Sequence, residues 1–145
     1  MAHITKSALV MHSARQMFEL VNDVESYPDF LPWCSAARLL SRSEQEICGE
    51  LEVSRAGVQQ RFSTCNRLYP YERIEIVLKQ GPFKQLRGGW YFSSLREDAC
   101  KVELVLTFEF SGVLMNAAFG VVFRQIADTL VDAFCQRANE VYRGG

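Results

Sequence analysis

Apolar residues recur at two different periods along this 145-residue chain, and the period changes twice. Residues 4–11 alternate weakly and predict a strand. Ser13 and Gln16 then stand three apart, just ahead of Met17, Leu20 and Val21 at helical spacing. That spacing is a capping box: the serine hydroxyl accepts from the amide three residues on, and the glutamine side chain reaches back. Asn22 and Asp23 end this helix. A second short helical piece over 24–31 contains Pro28 and stops before Pro32, because proline disfavours helix in the residue that precedes it.

Between residues 38 and 110 the period becomes two. The apolar positions are Ile47, Leu51 and Val53 in one run, with Glu50 and Glu52 opposite. They are Val58, Phe62 and Leu68 in the next, with Arg61 and Arg67 opposite. Ile74, Ile76 and Leu78 follow, then Trp90 and Phe92. The clearest run is 100–110, whose even positions are Cys100, Val102, Leu104, Leu106, Phe108 and Phe110. Strict alternation means one buried and one wet face, and short connections such as Ala56-Gly57 and Glu97-Asp98 predict an antiparallel meander.

The period then returns to that of a helix. Ser111 is the expected cap of a helix over 113–143, about 45 Å long at the usual rise. Phe119, Val122, Phe123, Ile126, Leu130, Phe134 and Val141 form its apolar stripe. One sheet face and one long apolar helix must bury each other. The predicted class is therefore α+β: a curved antiparallel sheet around a long C-terminal helix, with two short helices after the first strand closing one end.

Composition bounds this picture. The length suits a single domain over 1–145, large enough to fold on its own core. The five cysteines form no C-x-x-C pair and have only His3 and His12 for company, so free reduced thiols are expected and a zinc site is not. No export signal, spanning segment or stable membrane insertion is expected, and the chain is assigned to the cytoplasm.

Two segments then resemble a known family. Val21-Asn22-Asp23-Val24-Glu25-Ser26-Tyr27-Pro28-Asp29-Phe30-Leu31-Pro32-Trp33-Cys34 is one, and Gly81-Pro82-Phe83-Lys84-Gln85-Leu86-Arg87-Gly88-Gly89-Trp90 is the other. Both resemble the coenzyme Q-binding, START-like family of the polyketide cyclase superfamily. Phe108-Glu109-Phe110 and Ala118-Phe119-Gly120 are similar to its bacterial ribosome association toxin branch. The resemblance implies a helix-grip fold with a hydrophobic cavity and no agreed catalytic residues. It implies two partners: ubiquinone or a lipid-like molecule, linked to respiration, or the large ribosomal subunit, whose joining to the small subunit the toxin branch hinders. No cofactor is required on this reading beyond a bound ubiquinone or similar ligand.

The residues supply candidates for each role. Tyr27, Phe30, Leu31 and Trp33 either plug the core beneath the small helices or gate a cavity mouth. Phe83 and Trp90, with Phe119, Val122, Phe123, Ile126 and Leu130, are either core or cavity wall. Gln60, Thr64 and Asn66 share parity with Phe62 and Leu68, so they face either a ligand headgroup or, after a register slip or bulge, solvent. Gly88-Gly89 lacks any nucleotide-motif spacing and suits a strand that must bend or approach another backbone closely.

The near-neutral charge sum conceals asymmetry. Residues 54–96 carry +6 between flanks of −4 and −3. Alternation places Arg61, Arg67, Arg73 and Lys79 on the wet face, a surface suited to phosphate backbone or an ordinary solvated face. Catalysis is not expected: both histidines lie in the first 12 residues, and Glu19 or Asp23 would need desolvation to serve. The sequence therefore points to a non-catalytic hydrophobic-ligand binder, with ribosome binding as the alternative.

Overall fold

The capping box forms as the spacing requires. In the computed structural model, which describes residues 2–142, the Gln16 amide donates to the Ser13 hydroxyl at 3.1 Å and the Ser13 amide to the Gln16 side chain at 2.9 Å. Helix α1, Ala14–Asn22, starts there and buries Met17, Leu20 and Val21. The chain then passes Pro28 as a short 3₁₀ helix, Val24–Asp29.

Seven strands form one antiparallel sheet: β1 (Ala2–Val10), β2 (Cys34–Arg42), β3 (Glu46–Arg55), β4 (Val58–Tyr69), β5 (Arg73–Gln80), β6 (Phe83–Arg96) and β7 (Ala99–Phe110). Their order is β1-β7-β6-β5-β4-β3-β2, so every consecutive pair from β2 onward is a hairpin. The two helical pieces carry the chain from one edge, β1, to the other, β2. Strand β2, an edge strand, is exposed at five of its nine residues, and two register shifts against β3 interrupt its alternation. Ala56 and Gly57 both take positive φ, 52° and 78°, the conformation of a two-residue hairpin turn that follows sheet twist.

Gly88 explains its own identity. A Cβ there would lie 1.9 Å from the Val105 carbonyl oxygen, at the register position where β6 and β7 approach.

Helix α2, Val113–Val141, crosses the concave face. Its cap is Gly112 at φ 99°, not Ser111, and no side chain caps it. The Ser111 amide is engaged by the Pro82 carbonyl, so the chain turns one residue later than expected. The predicted final residue, Arg143, lies outside the described residues. Phe119, Val122, Phe123, Ile126 and Phe134 are buried as the stripe requires, while Val141 is exposed in the last turn. Phe83 stacks on Phe110 at 5.1 Å and meets Phe123 edge-on at 4.9 Å, so the helix closes on an aromatic layer.

The cysteines correct the expectation of five free thiols. Antiparallel register sets Cys48 directly opposite Cys65, with Cα atoms 4.0 Å apart, and the two sulfurs are bonded. Direct cross-strand neighbours are the closest pairs a sheet offers. Cys34, Cys100 and Cys135 remain free.

Candidate functional site

Between the inner sheet face and α2 lies a cavity of about 90 Å³. Strand parity builds its floor. Phe62, Thr64 and Asn66 point inward from β4, flanked by Leu51 on β3 and Ile76 on β5. Leu86 and Trp90 from β6 and Leu104 and Leu106 from β7 complete it. The helix supplies Phe123, Ile126, Ala127, Leu130 and Phe134 as the roof, and Tyr27 and Trp33 stand at one end.

Of the predicted cavity residues, Tyr27, Trp33, Trp90, Phe123, Ile126 and Leu130 line it, and so do Thr64 and Asn66. The others do not. Leu31 is sealed in the core, and Phe83, Phe119 and Val122 pack in the buried layer beyond one end of the cavity. Phe30 packs behind two lining residues instead: its ring lies 5.2 Å from Phe134 and 6.1 Å from Tyr27, with the Arg137 guanidinium 5.1 Å from its centre. Gln60 sits opposite Val53, half buried, away from the cavity. Parity had named Leu51, Ile76, Leu104 and Leu106 as inward, but register was needed to show that they surround Asn66.

The cavity has two kinds of polar group. The Tyr27 phenol is satisfied, since it donates to the Val21 carbonyl, and burial raises its pKa well above the ordinary tyrosine value. Asn66 is different. Its Oδ1 is buried with no hydrogen-bond partner among the described residues. A buried acceptor left unsatisfied costs about 1–3 kcal/mol, so the wall holds an unmet demand for a donor.

Among the described residues, no histidine or carboxylate lines the cavity. Glu19 and Asp23 are exposed and border a separate open surface depression of about 570 Å³, together with Arg42 and Arg137. Burial lifts the Cys34 and Cys100 thiols to about 11, which leaves them protonated and unreactive near neutrality.

The outer sheet face carries Arg61, Arg67, Arg73 and Lys79 together, but not as a bare cationic patch. Register brings Glu52 opposite Arg61, with Nε–Oε2 2.7 Å, and Arg73 reaches Glu75 at 3.2 Å. Ser35, Arg61 and Gln59 all donate to Glu52 and hold its carboxyl below the usual range. Arg73 also lies 3.9 Å from the Tyr69 ring centre, and Arg67 sits between Glu46 and Glu75 in register. Lys79 and Arg87 have no carboxylate within ion-pair distance among the described residues. Arg87 pairs with Val77, two residues from Lys79 on the same face of β5. The exposed positive charge therefore concentrates toward the β5–β6 end.

The sequence signature described as "Polyketide cyclase / dehydrase and lipid transport" matches residues 10–135. The chain belongs to this START-like family. Within it, the chain is 51% identical to the ribosome association toxin RatA of Pseudomonas aeruginosa, over 97% of both proteins. It is 30% identical to the mitochondrial coenzyme Q-binding protein COQ10 homolog B of Xenopus laevis, over 95% of this chain and 58% of that protein. The START-like fold also superposes on the Zhui aromatase/cyclase of Streptomyces sp. R1128 with TM-score 0.86 at 17% identity, covering 99% of this chain and 96% of that one. That likeness is one of fold. The sheet gripping α2 is the helix-grip architecture expected from the pattern.

Proposed function

We propose that this protein is a non-catalytic START-like domain that associates with the ribosome in the cytoplasm, on the large subunit, through the basic end of its outer sheet face. The observation that carries this reading is the 51% identity, over nearly the full length of both chains, with a protein named for ribosome association. The surface supports it: Lys79 and Arg87 stand outward, near each other, with no carboxylate within ion-pair distance among the described residues. Cations so placed bind phosphate backbone and release counterions, so binding falls as salt rises. Arg61 and Arg73, already engaged by Glu52 and Glu75, contribute less. The test is co-sedimentation of the protein with purified large subunits across a salt series. Lys79→Glu with Arg87→Glu is expected to lower binding at least tenfold and to flatten the salt dependence, while Arg61→Gln changes it little. Unchanged sedimentation of the double variant would overturn the basic-end assignment.

A second reading is favoured by Asn66. An unpartnered acceptor in an otherwise apolar cavity suits a hydrophobic ligand that carries a hydroxyl or other donor, and a reduced quinone has that chemistry. The similarity to a coenzyme Q-binding protein agrees with it. The cavity, about 90 Å³, has room for little more than one small ring, so a polyprenyl tail would lie outside it. Organic extraction of the purified protein followed by mass spectrometry tests this. Absence of any extractable quinone or lipid, with no uptake of added ubiquinol, would remove it.

A further inference from the structure

At the end where α2 begins, apolar side chains stand in water. Val113 is 85% exposed and Leu114 87%, and Val121, two turns on, is 52% exposed. Ala117 and Ala118 between them are also exposed. These positions share one face of the helix, while Phe119, Val122 and Phe123 on the other face are sealed in the core. Asn116 apart, the first turns of α2 are thus apolar on both faces, which suits a helix with apolar surroundings on more than its core side. Single exposed apolar residues are ordinary, but a contiguous stripe marks a docking surface.

The charge around the stripe identifies what it docks on. From 113 to 127 the only charged residue is Arg124. A surface depression of about 470 Å³ at the foot of the stripe is bordered by Lys84, Val113, Asn116 and Arg124, with Glu109 as its single carboxylate. The Arg124 guanidinium donates to Asn116 Oδ1 at 3.1 Å, which holds the cation beside the apolar tip. Lys84 is brought there by the β5–β6 turn, because the Ser111 amide bonds to the Pro82 carbonyl at 3.0 Å.

We propose that this end of the molecule docks on anionic phospholipid bilayers: Val113 and Leu114 enter the interface, and Lys84 and Arg124 lie among the headgroups. Apolar side chains flanked by cations match the boundary between acyl chains and anionic headgroups. A nucleic acid would match the cations but gain nothing from Leu114 at the tip. A second copy of the chain would set like charges against each other. The contact is peripheral, since no helix among the described residues is long and apolar enough to cross a membrane. It uses neither the cavity nor the Lys79–Arg87 surface.

The test is co-sedimentation of the full chain with phosphatidylcholine vesicles, with and without one third phosphatidylglycerol, at low and high salt. Binding is expected to the anionic vesicles, to weaken with salt, and to be absent for phosphatidylcholine alone. Arg124→Gln is expected to weaken it about fivefold, the effect of one basic charge near such a surface. Leu114→Ser is expected to weaken it about tenfold through lost apolar contact. Both residues are exposed, so circular dichroism and large-subunit co-sedimentation stay as in the parent protein. No binding to anionic vesicles at low salt, or binding indifferent to Leu114→Ser, would overturn the proposal. So would a dimer in gel filtration that Leu114→Ser converts to monomer, or loss of large-subunit binding in that variant, each of which assigns the stripe to another occupant.

Discussion

Asn66→Leu replaces the polar atoms of the cavity wall by two methyl groups and keeps the number of heavy atoms, and the cavity beside it takes up the larger volume of the methyls. Its consequence can be worked from the neighbours. Relieving a buried acceptor without a partner is worth about 1–3 kcal/mol. Asn66 lies between Ile47 on β3 and Ile76 on β5, and an apolar side chain there gains cross-strand contacts worth about 0.2–1 kcal/mol each. Any bond made by the amide nitrogen offsets about 0.5–1.5 kcal/mol. The net is a stabilisation of about 2 kcal/mol, or about 6 °C in Tm for a chain of this size. The assay is equilibrium urea unfolding of ligand-free protein, followed by circular dichroism, with an unchanged slope. Uptake of a hydroxyl-bearing hydrophobic ligand should fall in the same variant, because the acceptor it would meet is gone. The variant would be more stable and less able to bind, the pattern expected where a functional group is maintained at a cost to the fold. A destabilisation of about 1 kcal/mol or more would refute the reasoning, since it would mean that Asn66 is already satisfied in the empty protein.

Gly88→Ala should destabilise by about 3–5 kcal/mol in the same assay, from lost ladder hydrogen bonds and forced separation of β6 from β7; a loss below about 1 kcal/mol would contradict the close approach to Val105. Denatured, non-reduced protein should show three reactive thiols, and five after treatment with dithiothreitol, because Cys48 and Cys65 are joined; five without reductant would contradict the pairing. The Glu52 carboxyl titrates below its usual value of 4.5, so its contribution to stability is present above that pH and is lost as pH falls through the lower, folded-state value. Glu52→Gln should accordingly flatten the acid side of the stability profile, and an unchanged profile would show that the Ser35, Arg61 and Gln59 bonds add nothing.

Much of the architecture was legible from local pattern. The alternation over 100–110 matches β7, in which Cys100, Val102, Leu104, Leu106, Phe108 and Phe110 are all buried. Ser13 and Gln16 mark the start of α1 because a capping box is a contact within one turn. The apolar stripe of α2 was visible for the same reason, as was the need for Gly at 88. The failures share a cause. Ser111 has a capping side chain, but a distant carbonyl, that of Pro82, engages its amide and moves the turn to Gly112. Val141 has the right spacing, but the sheet does not cover its side of the helix end.

The pattern along the chain settled which residues face inward, because a side chain's face on a strand or helix depends only on its own element's period. It settled the class of fold and named Asn66 and Thr64, with Gln60, as polar groups on an apolar face, while the family was carried by the resemblance of residues 21–34 and 81–90. What faces what was decided by register and by long-range packing, which no local period encodes. Register joined Cys48 to Cys65, set Glu52 against Arg61, and shifted the exposed positive charge away from Arg61 and Arg73 toward Lys79, one of the four predicted cations, and Arg87. Packing reduced the expected cavity wall to the residues around Asn66, shut Phe83 and Phe119 into the core, and left Val113 and Leu114 in solvent at the tip of a helix that is otherwise gripped by the sheet.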